Sequence, residues 1–382
     1  MSASTSRTDR FGERARIDRL VLDWIAEPVW KQDDGRFDGL ARELFAFQFA
    51  NCAAYGRFCS GRGITPASIA GWREIPAVPT GAFKELALRC FPAAQTVRTF
   101  RTSGTTGQSR GELHLDTLVL YEASLLASLR TLLFPDRHAH ERFTLRILAP
   151  SADETPDSSL SHMFSALVPA IGTAASGFDV RDGELDVAGL VDALTAAEQR
   201  GEPIVLCGTA FAFVHFVDAL DSTGRRFALA PGSRIMETGG FKGRSRELTR
   251  QELHARLADR LGIPERRIVN QYGMTELGSQ FYDSVLVDPD GPRRKLGPPW
   301  ARVRIVDPET GIDARPGEVG GVVIHDLANT GSIAAIQTAD LGRLVVDGSG
   351  RSGGFEIVGR DPGAEARGCS IAADEMLSTD RS

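Results

Sequence analysis

Strand-like and helix-like segments alternate through the middle of the sequence. The strand-like segments read FTLRILAPS, PIVLCGTA, SRIMETGG and RIVNQYG, and the helical patterns between and around them cover residues 118–133, 160–171, 185–200, 212–220 and 245–262. Regular succession of this kind predicts an α/β fold with a parallel or mixed sheet covered by helices. Ligands in such folds bind at the loops beyond the carboxyl ends of the strands.

The flanking regions have different patterns. Residues 16–60 are helical in pattern, and a proline-containing connector that carries Lys84 follows them. After residue 297 the chain reads as strands without long helices: ARVRIVD, GGVVIHDL, GRLVVDG and GFEIVGR. We therefore expect four parts: a helical segment packed on the core, an α/β core, a small β-rich subdomain and a short tail, with bounds 1–95, 96–296, 297–360 and 361–382.

Composition excludes several classes of function. The 382-residue chain has a net charge of -6 and no long basic run, which argues against a nucleic-acid partner. Its five cysteines form no CxxC pair and no zinc-like spacing with histidine. The first twenty residues are polar, and no apolar stretch is long enough to span a bilayer. We expect a reduced, cytoplasmic protein without a membrane span.

The stretch TSGTTGQSRG, Thr102 to Gly111, combines glycines with hydroxyl side chains. Glycine permits close backbone approach, and successive N–H groups together with Ser and Thr hydroxyls can surround a phosphate. The stretch has neither the Walker order nor the dinucleotide-binding order of glycines. Composition alone therefore leaves a phosphate loop and a polar surface turn equally open.

The order of residues in this stretch resembles the phosphate-binding signature of the adenylate-forming enzymes. Ser109 and Arg110 stand where that signature has Pro and Lys, and Arg still supplies a cation for a polyphosphate. Three further segments resemble family motifs in the same order: METGGFKG the glycine-rich adenine loop, NQYGMTELG the Y-G-x-T-E motif, and TADLGRL the T-G-D segment. The strand FEIVGR ends at Arg360, where the family has a hinge arginine.

The resemblance implies an adenylate-forming core, ATP and Mg²⁺ as cofactors, and a role for each matching residue. Glu276 would contribute to the Mg²⁺ site, Thr275 would meet the α-phosphate, and Asp340 would hold the ribose. Arg110 and Lys242 would be catalytic cations, with Lys84 as an alternative source of charge. The remaining nucleotide-binding candidates are Thr102, Ser103, Gly104, Thr105, Thr106, Gly107, Gly239, Gly240, Tyr272, Gly273 and Arg360.

The C-terminal tail contains Cys369 in ARGCSIAADEM. A lone cysteine is either a small buried residue or a nucleophile, and a thiol brought to an acyl-adenylate would form a thioester. The segments IPAVPTGAFKE, ETGGFKGR and RGCS resemble the acyl-protein synthetases of the bacterial bioluminescence fatty-acid reductase complex. That resemblance makes Cys369 a candidate catalytic acyl acceptor and a reductase subunit or carrier protein a candidate partner. We expect no full C-terminal domain of the kind that supplies a catalytic lysine in the larger superfamily.

Two alternatives remain open at the level of sequence. A free-standing acyl or aryl acid ligase would deliver the acyl group to coenzyme A or a carrier protein, and a non-catalytic relative would only bind nucleotide. For the acyl chain we expect a pocket against Phe211, Phe213 and Phe216, with His215 as a wall residue or a base.

Overall fold

The computed structural model describes residues 7–103, 109–138, 140–239, 248–346, 352–361 and 376. The helices are α1 Arg7–Ile25, α2 Asp34–Asn51, α3 Ala53–Gly61, α4 Ala82–Glu85, α5 Val119–Leu133, α6 Ser159–Ile171, α7 Val187–Arg200, α8 Ala210–Thr223 and α9 Arg250–Leu261. The strands are β1 Val78–Pro79, β2 Arg98–Arg101, β3 Glu112–Leu115, β4 Thr144–Leu148, β5 Gly177–Phe178, β6 Val180–Arg181, β7 Glu184–Leu185, β8 Ile204–Thr209, β9 Arg234–Thr238, β10 Ile268–Tyr272, β11 Phe281–Asp283, β12 Lys295–Leu296, β13 Ala301–Val306, β14 Gly320–Asp326, β15 Ala335–Val346 and β16 Ser352–Arg360.

The chain divides into two compact units. Unit 1 comprises Met1–Ala127, Met274–Gln280 and Gly297–Ser382. Unit 2 comprises Ser128–Gly273 and Phe281–Leu296.

Unit 2 contains the alternating strands and helices. Its strand order is β12-β11-β10-β9-β8-β4-β5, in which β10, β9, β8, β4 and β5 run parallel and β11 and β12 run antiparallel to their neighbours. Side chains of Asp186, Thr209 and Thr249 cap the first turns of α7, α8 and α9. The apolar stripes of these helices are buried with strand residues such as Leu206 and Ile235. These contacts form the core of the unit.

Unit 1 combines helices with an antiparallel sheet. Strands β13, β14, β15 and β16 pair in that order, and β1 adds to β15 in parallel. Strands β2 and β3 form a separate hairpin. The fully buried side chains include Ile17 and Val21 of α1 and Phe37 and Leu44 of α2.

The predicted α/β class, with mixed sheets covered by helices and a further β-rich part, is confirmed. The helix and strand assignments from sequence pattern agree with the structure, apart from the strands of the β2–β3 hairpin and several short strands, which the pattern did not indicate. Among the helices within the described residues, none has the length and apolar character needed to cross a membrane.

Candidate active site

The glycine-rich stretch connects the two strands of the β2–β3 hairpin, whose last register pair is Arg101 with Glu112. Thr102 and Gly111 close its base with two hydrogen bonds. The Thr102 N–H donates to the Gly111 carbonyl at 2.9 Å, and the Gly111 N–H donates to Thr102 Oγ1 at 2.9 Å. The two ends of the motif are therefore fixed side by side.

Arg110 contributes to the same closure. Its Nε donates to the Thr102 carbonyl at 2.6 Å, and its Nη2 lies 3.4 Å from the Arg101 carbonyl. Ser109 Oγ donates to the Lys84 carbonyl at 3.0 Å, which joins the motif to α4. The guanidinium thus stabilises the closed end of the hairpin, where Thr102 and Gly111 meet, and places a positive charge there. Its contact with phosphate stays a prediction.

The Thr-Glu end of the Y-G-x-T-E motif meets this hairpin within unit 1. Thr275 Oγ1 lies 3.5 Å from the Arg101 carbonyl, and Glu276 is 4% exposed. A Cβ added to Gly111 would lie 3.2 Å from Thr102 Cγ2 and 3.6 Å from Glu276 Oε1. A side chain at Gly111 would press on Thr102 and only touch Glu276, so the Glu276 carboxylate lies directly beside the closed end of the glycine-rich stretch.

A buried polar loop supports Glu276 from behind. This loop, residues 326–334, connects β14 to β15 and contains the sequence DLANTGSIA. Asn329 Nδ2 donates to the Glu276 carbonyl at 2.9 Å, and a Cβ on Gly278 would lie 3.0 Å from the Ala328 carbonyl. Sequence reasoning missed this loop because its polar letters are typical of an exposed turn.

The predicted ribose and hinge residues pair with each other. Asp340 of β15 and Arg360 of β16 are register partners, with Arg360 Nε 3.4 Å from Asp340 Oδ1. The Asp340 N–H donates to Thr338 Oγ1 at 3.1 Å, and the Asp340 side chain is 14% exposed. The structure therefore brings these two motif residues together on one antiparallel ladder.

The predicted adenine-side residues lie in unit 2, at neighbouring strand ends. Gly239 follows β9 and has φ of +87°, a conformation that favours glycine. Tyr272 ends β10, which is parallel to β9, and Gly273 follows it. Both segments therefore leave the carboxyl edge of one parallel sheet, where ligands of α/β proteins bind. The Tyr272 ring contacts that of Phe281, with centroids 6.2 Å apart.

A buried charged network underlies these strand ends. Lys295 Nζ donates to the Asn270 carbonyl at 2.8 Å and to Asp283 Oδ1 at 2.7 Å, and Arg293 Nη1 donates to Asp283 Oδ2 at 2.7 Å. Burial lowers the pKa of Lys295 to about 8, although Asp283 acts in the opposite direction. Burial raises the pKa of Asp283, but Lys295 and Arg293 outweigh it and leave that pKa below its usual range. No motif or periodicity in the sequence indicated this network.

The remaining predictions have different outcomes. The candidates Gly104, Thr105, Thr106, Gly107, Gly240, Lys242 and Cys369 lie outside the described residues. The prediction that Phe213 and Phe216 line an acyl pocket is wrong, because both are fully buried in the core stripe of α8. Phe211 is partly buried and stacks edge-on with the exposed His215, with ring centroids 4.4 Å apart.

The donor set around Glu276 suits one kind of metal site. Within the described ranges, no three His, Cys, Asp or Glu side chains group into a site that could hold a metal on their own. Mg²⁺ commonly binds through one or two carboxylates and the oxygens of a substrate phosphate. A single carboxylate beside a glycine-rich hairpin fits Mg²⁺ that arrives with a nucleotide.

Comparisons with known proteins agree on one family and on similar fatty-acid ligases. A family model described as acyl-protein synthetase, LuxE, matches residues 13–378. The long-chain-fatty-acid–luciferin-component ligase of Aliivibrio fischeri is 24% identical over 307 residues, or 80% of this chain and 78% of that protein. The protein of the same description from Vibrio harveyi is 22% identical over 388 residues, or 98% and 97%.

A solved structure shares the fold. An open conformation of 2-hydroxyisobutyryl-CoA ligase, in complex with 2-HIB-AMP and CoA, has a TM-score of 0.62 at 13% identity. The match covers 86% of this chain and 74% of that one. A second structure of that ligase, in the postadenylation state, has a TM-score of 0.62 over 86% and 67% of the two chains, at 12% identity.

Proposed function

Because the chain belongs to the LuxE acyl-protein synthetase family, a family of ligases, we propose that it activates a long-chain fatty acid with ATP. The acyl group then passes to a thiol. The observation that carries this proposal is the buried Glu276 carboxylate beside the hairpin end closed by Thr102 and Gly111. The glycine-rich motif and the Thr-Glu end of the Y-G-x-T-E motif meet there in one compact unit.

In the first step, a carboxylate oxygen of the acid attacks the α-phosphorus of ATP. The new P–O bond forms as the bond to the pyrophosphate oxygen breaks, and pyrophosphate leaves with its electron pair. This displacement depends on charge stabilisation more than on covalent participation by the protein. Thr102, Ser103 and the hairpin backbone bind phosphate oxygens, and Arg110 supplies positive charge at the same end. Thr275 approaches the α-phosphate from the adjoining segment.

Mg²⁺ bound at Glu276 and at the phosphates would neutralise charge on the transferred and leaving groups. The protein's part is to hold the Glu276 carboxylate where a metal–nucleotide complex reaches it. Asp340 receives the ribose hydroxyls, for which its partly buried carboxylate on β15 is suited. Tyr272 and Gly239 border the adenine.

In the second step, the Cys369 thiolate attacks the acyl carbon of the adenylate. A C–S bond forms, the C–O bond to AMP breaks, and AMP leaves as its phosphate anion; the thiol proton passes to solvent. A partner protein, an acyl reductase subunit or a carrier protein, then accepts the acyl group from the thioester. Capture of the protein that takes the acyl group from Cys369 would identify this acceptor.

Acid-dependent exchange of labelled pyrophosphate into ATP tests the first step. We expect exchange with long-chain fatty acids and none without acid. Absence of exchange with a panel of aliphatic and aromatic acids would overturn the proposal and favour a nucleotide-binding role.

Intact mass after reaction tests the second step. We expect an added acyl mass on the wild type that neutral hydroxylamine removes. Cys369→Ser should keep pyrophosphate exchange and lose the hydroxylamine-sensitive mass, with Cys207→Ser as the matched control because Cys207 is a buried core thiol. Full hydroxylamine-sensitive labelling of Cys369→Ser would overturn the assignment of the acceptor. Unimpaired synthesis of acyl-CoA or of an acylated carrier protein by this variant, when that acceptor is supplied, would indicate direct delivery.

A further inference from the structure

The loop 326–334 is buried despite its polar sequence. Asp326, Asn329, Thr330 and Ser332 are each no more than 2% exposed. Burying polar groups is costly unless each finds a hydrogen-bond partner, so a polar loop in the interior requires a dense set of contacts. Many of the contacts that this loop makes are to residues far away in sequence.

Asp326 binds the segment that follows Glu276. Its Oδ2 accepts from the Ser279 N–H at 2.7 Å, and its Oδ1 accepts from Ser279 Oγ at 2.7 Å and from the Ala328 N–H at 3.0 Å. Ser279 Oγ in turn accepts from Trp300 Nε1 at 3.1 Å and lies 3.0 Å from Ser124 Oγ. The carboxylate therefore holds one serine through both its backbone and its side chain.

Asn329 binds the same segment on the other side of Leu277. Its Nδ2 donates to the Glu276 carbonyl at 2.9 Å and to the Ile333 carbonyl at 2.9 Å. Gln48 of α2 fixes the loop itself, since its Nε2 donates to the Asn329 carbonyl at 3.0 Å and its Oε1 accepts from the Ala334 N–H at 3.0 Å. The backbone from Glu276 to Ser279 is thus held at both ends by one loop.

We propose that Asp326 and Asn329 are positioning residues for acid activation, which fix the Glu276 carboxylate at the closed end of the β2–β3 hairpin. This inference rests on the proposed function, because it assigns Glu276 to the metal–nucleotide complex. Neither residue touches substrate. They act by fixing the position of the Glu276 carboxylate. A displacement of about 1 Å in an active site can lower the rate on the order of a hundredfold.

Asp326→Asn tests the inference with little change of shape. An amide nitrogen in place of Oδ2 faces the Ser279 N–H, and in place of Oδ1 it faces the Ser279 hydroxyl and the Ala328 N–H. In either orientation the segment loses part of its anchor. We expect the Mg²⁺ concentration for half-maximal pyrophosphate exchange to rise about tenfold. Val21→Ala in α1 is the matched control, since it removes buried apolar volume from unit 1 and leaves the polar groups of the loop in place.

A second readout does not depend on activity. The rise in melting temperature with a non-hydrolysable ATP analogue measures binding to the folded state. For Asp326→Asn, we expect the Mg²⁺-dependent part of that rise to require about tenfold more Mg²⁺, and the part seen in EDTA to equal that of wild type. Asn329→Ala should give the same pattern, and it replaces Asp326→Asn if that variant does not fold.

The outcomes separate the two proposals. Unchanged Mg²⁺ dependence in both variants, or an equal shift in Val21→Ala, overturns the positioning role. If no acid supports exchange in the wild type but the Mg²⁺ shift in analogue binding is present, the proposed reaction fails and the positioning role stands. If the wild type shows no Mg²⁺-dependent analogue binding at all, both fail.

Discussion

The two units support their motif residues in different ways. In unit 1, hydrogen bonds of a buried loop hold the segment that carries Glu276, with Asp326 as its one carboxylate. In unit 2, a buried ion pair between Lys295 and Asp283 joins β11, β12 and the residues just before Tyr272. A hydrogen-bonded network is costly where a group lacks a partner, whereas a buried ion pair depends on both charges being present. The comparison predicts that the two supports respond differently to substitution and to pH.

Removing one charge from unit 2 should have the largest effect. Asp283→Ala leaves Lys295, whose side chain is 3% exposed, without its carboxylate, and we expect unfolding free energy to fall by about 3–5 kcal/mol. Urea unfolding measures this. The double variant Asp283→Leu with Lys295→Met should recover much of the loss, because neither charge of the buried pair remains. A double variant as unstable as the single one would contradict the assigned role of the ion pair.

A smaller effect concerns how the unfolding free energy changes at acid pH, through a buried histidine of unit 1. His325 precedes the buried loop and meets the Trp72 ring edge-on, with centroids 4.9 Å apart. Burial lowers the pKa of His325 to about 3. The folded state therefore keeps this ring neutral while the unfolded chain takes up a proton below pH 6.5. Its stabilising contribution is complete above pH 6.5 and declines as the pH falls toward 3.

His325→Phe should reduce this acid sensitivity. Between pH 6.5 and 5, we expect the wild type to lose about 2 kcal/mol more unfolding free energy than the variant. Phe retains the ring contact with Trp72 and removes Nε2, which has no hydrogen-bond partner among the described residues. Parallel pH profiles for the two proteins would show that His325 already binds a proton in the folded state.

The smallest change tests the approach of Glu276 to the hairpin. Gly111→Ala places a methyl group 3.2 Å from Thr102 Cγ2 and 3.6 Å from Glu276 Oε1. We expect KM for ATP to rise about tenfold, equivalent to about 1.4 kcal/mol, with little change in melting temperature. Gly359→Ala is the matched control, since nothing lies within 4 Å of the added carbon. An equal effect at both positions would argue against crowding of Thr102 at the closed end of the hairpin.

Sequence pattern predicted the features that depend on local signals. Strand ends at Gly239 and Tyr272 followed from periodicity, and the resemblance of ordered motifs indicated that Thr102, Gly111 and Glu276 belong to one site. The buried residues that hold Glu276 in place could not be predicted in the same way. Asp326 falls at the end of a segment read as a strand, and Asn329 reads as a turn residue. Their burial depends on partners such as Gln48, which is 281 positions from Asn329 in sequence.

The error at Phe213 and Phe216 has a related cause. Aromatic residues beside a ligand-binding segment suggest a pocket, but in α8 these two positions lie on the stripe that packs against Leu206 and Ile235. Helical periodicity favours core packing for both. Ion pairs such as Asp283 with Lys295 were equally hidden, because pairing across antiparallel strands is set by register.

The most direct test of the account is Glu276→Gln, read by acid-dependent pyrophosphate exchange over a range of Mg²⁺ concentrations. The amide keeps the shape of the side chain and removes its charge. We expect exchange at a fixed Mg²⁺ concentration to fall about a hundredfold, with partial recovery at high Mg²⁺ and a melting temperature close to that of wild type. Wild-type exchange and wild-type Mg²⁺ dependence in Glu276→Gln would contradict the assignment of this carboxylate to the metal–nucleotide complex.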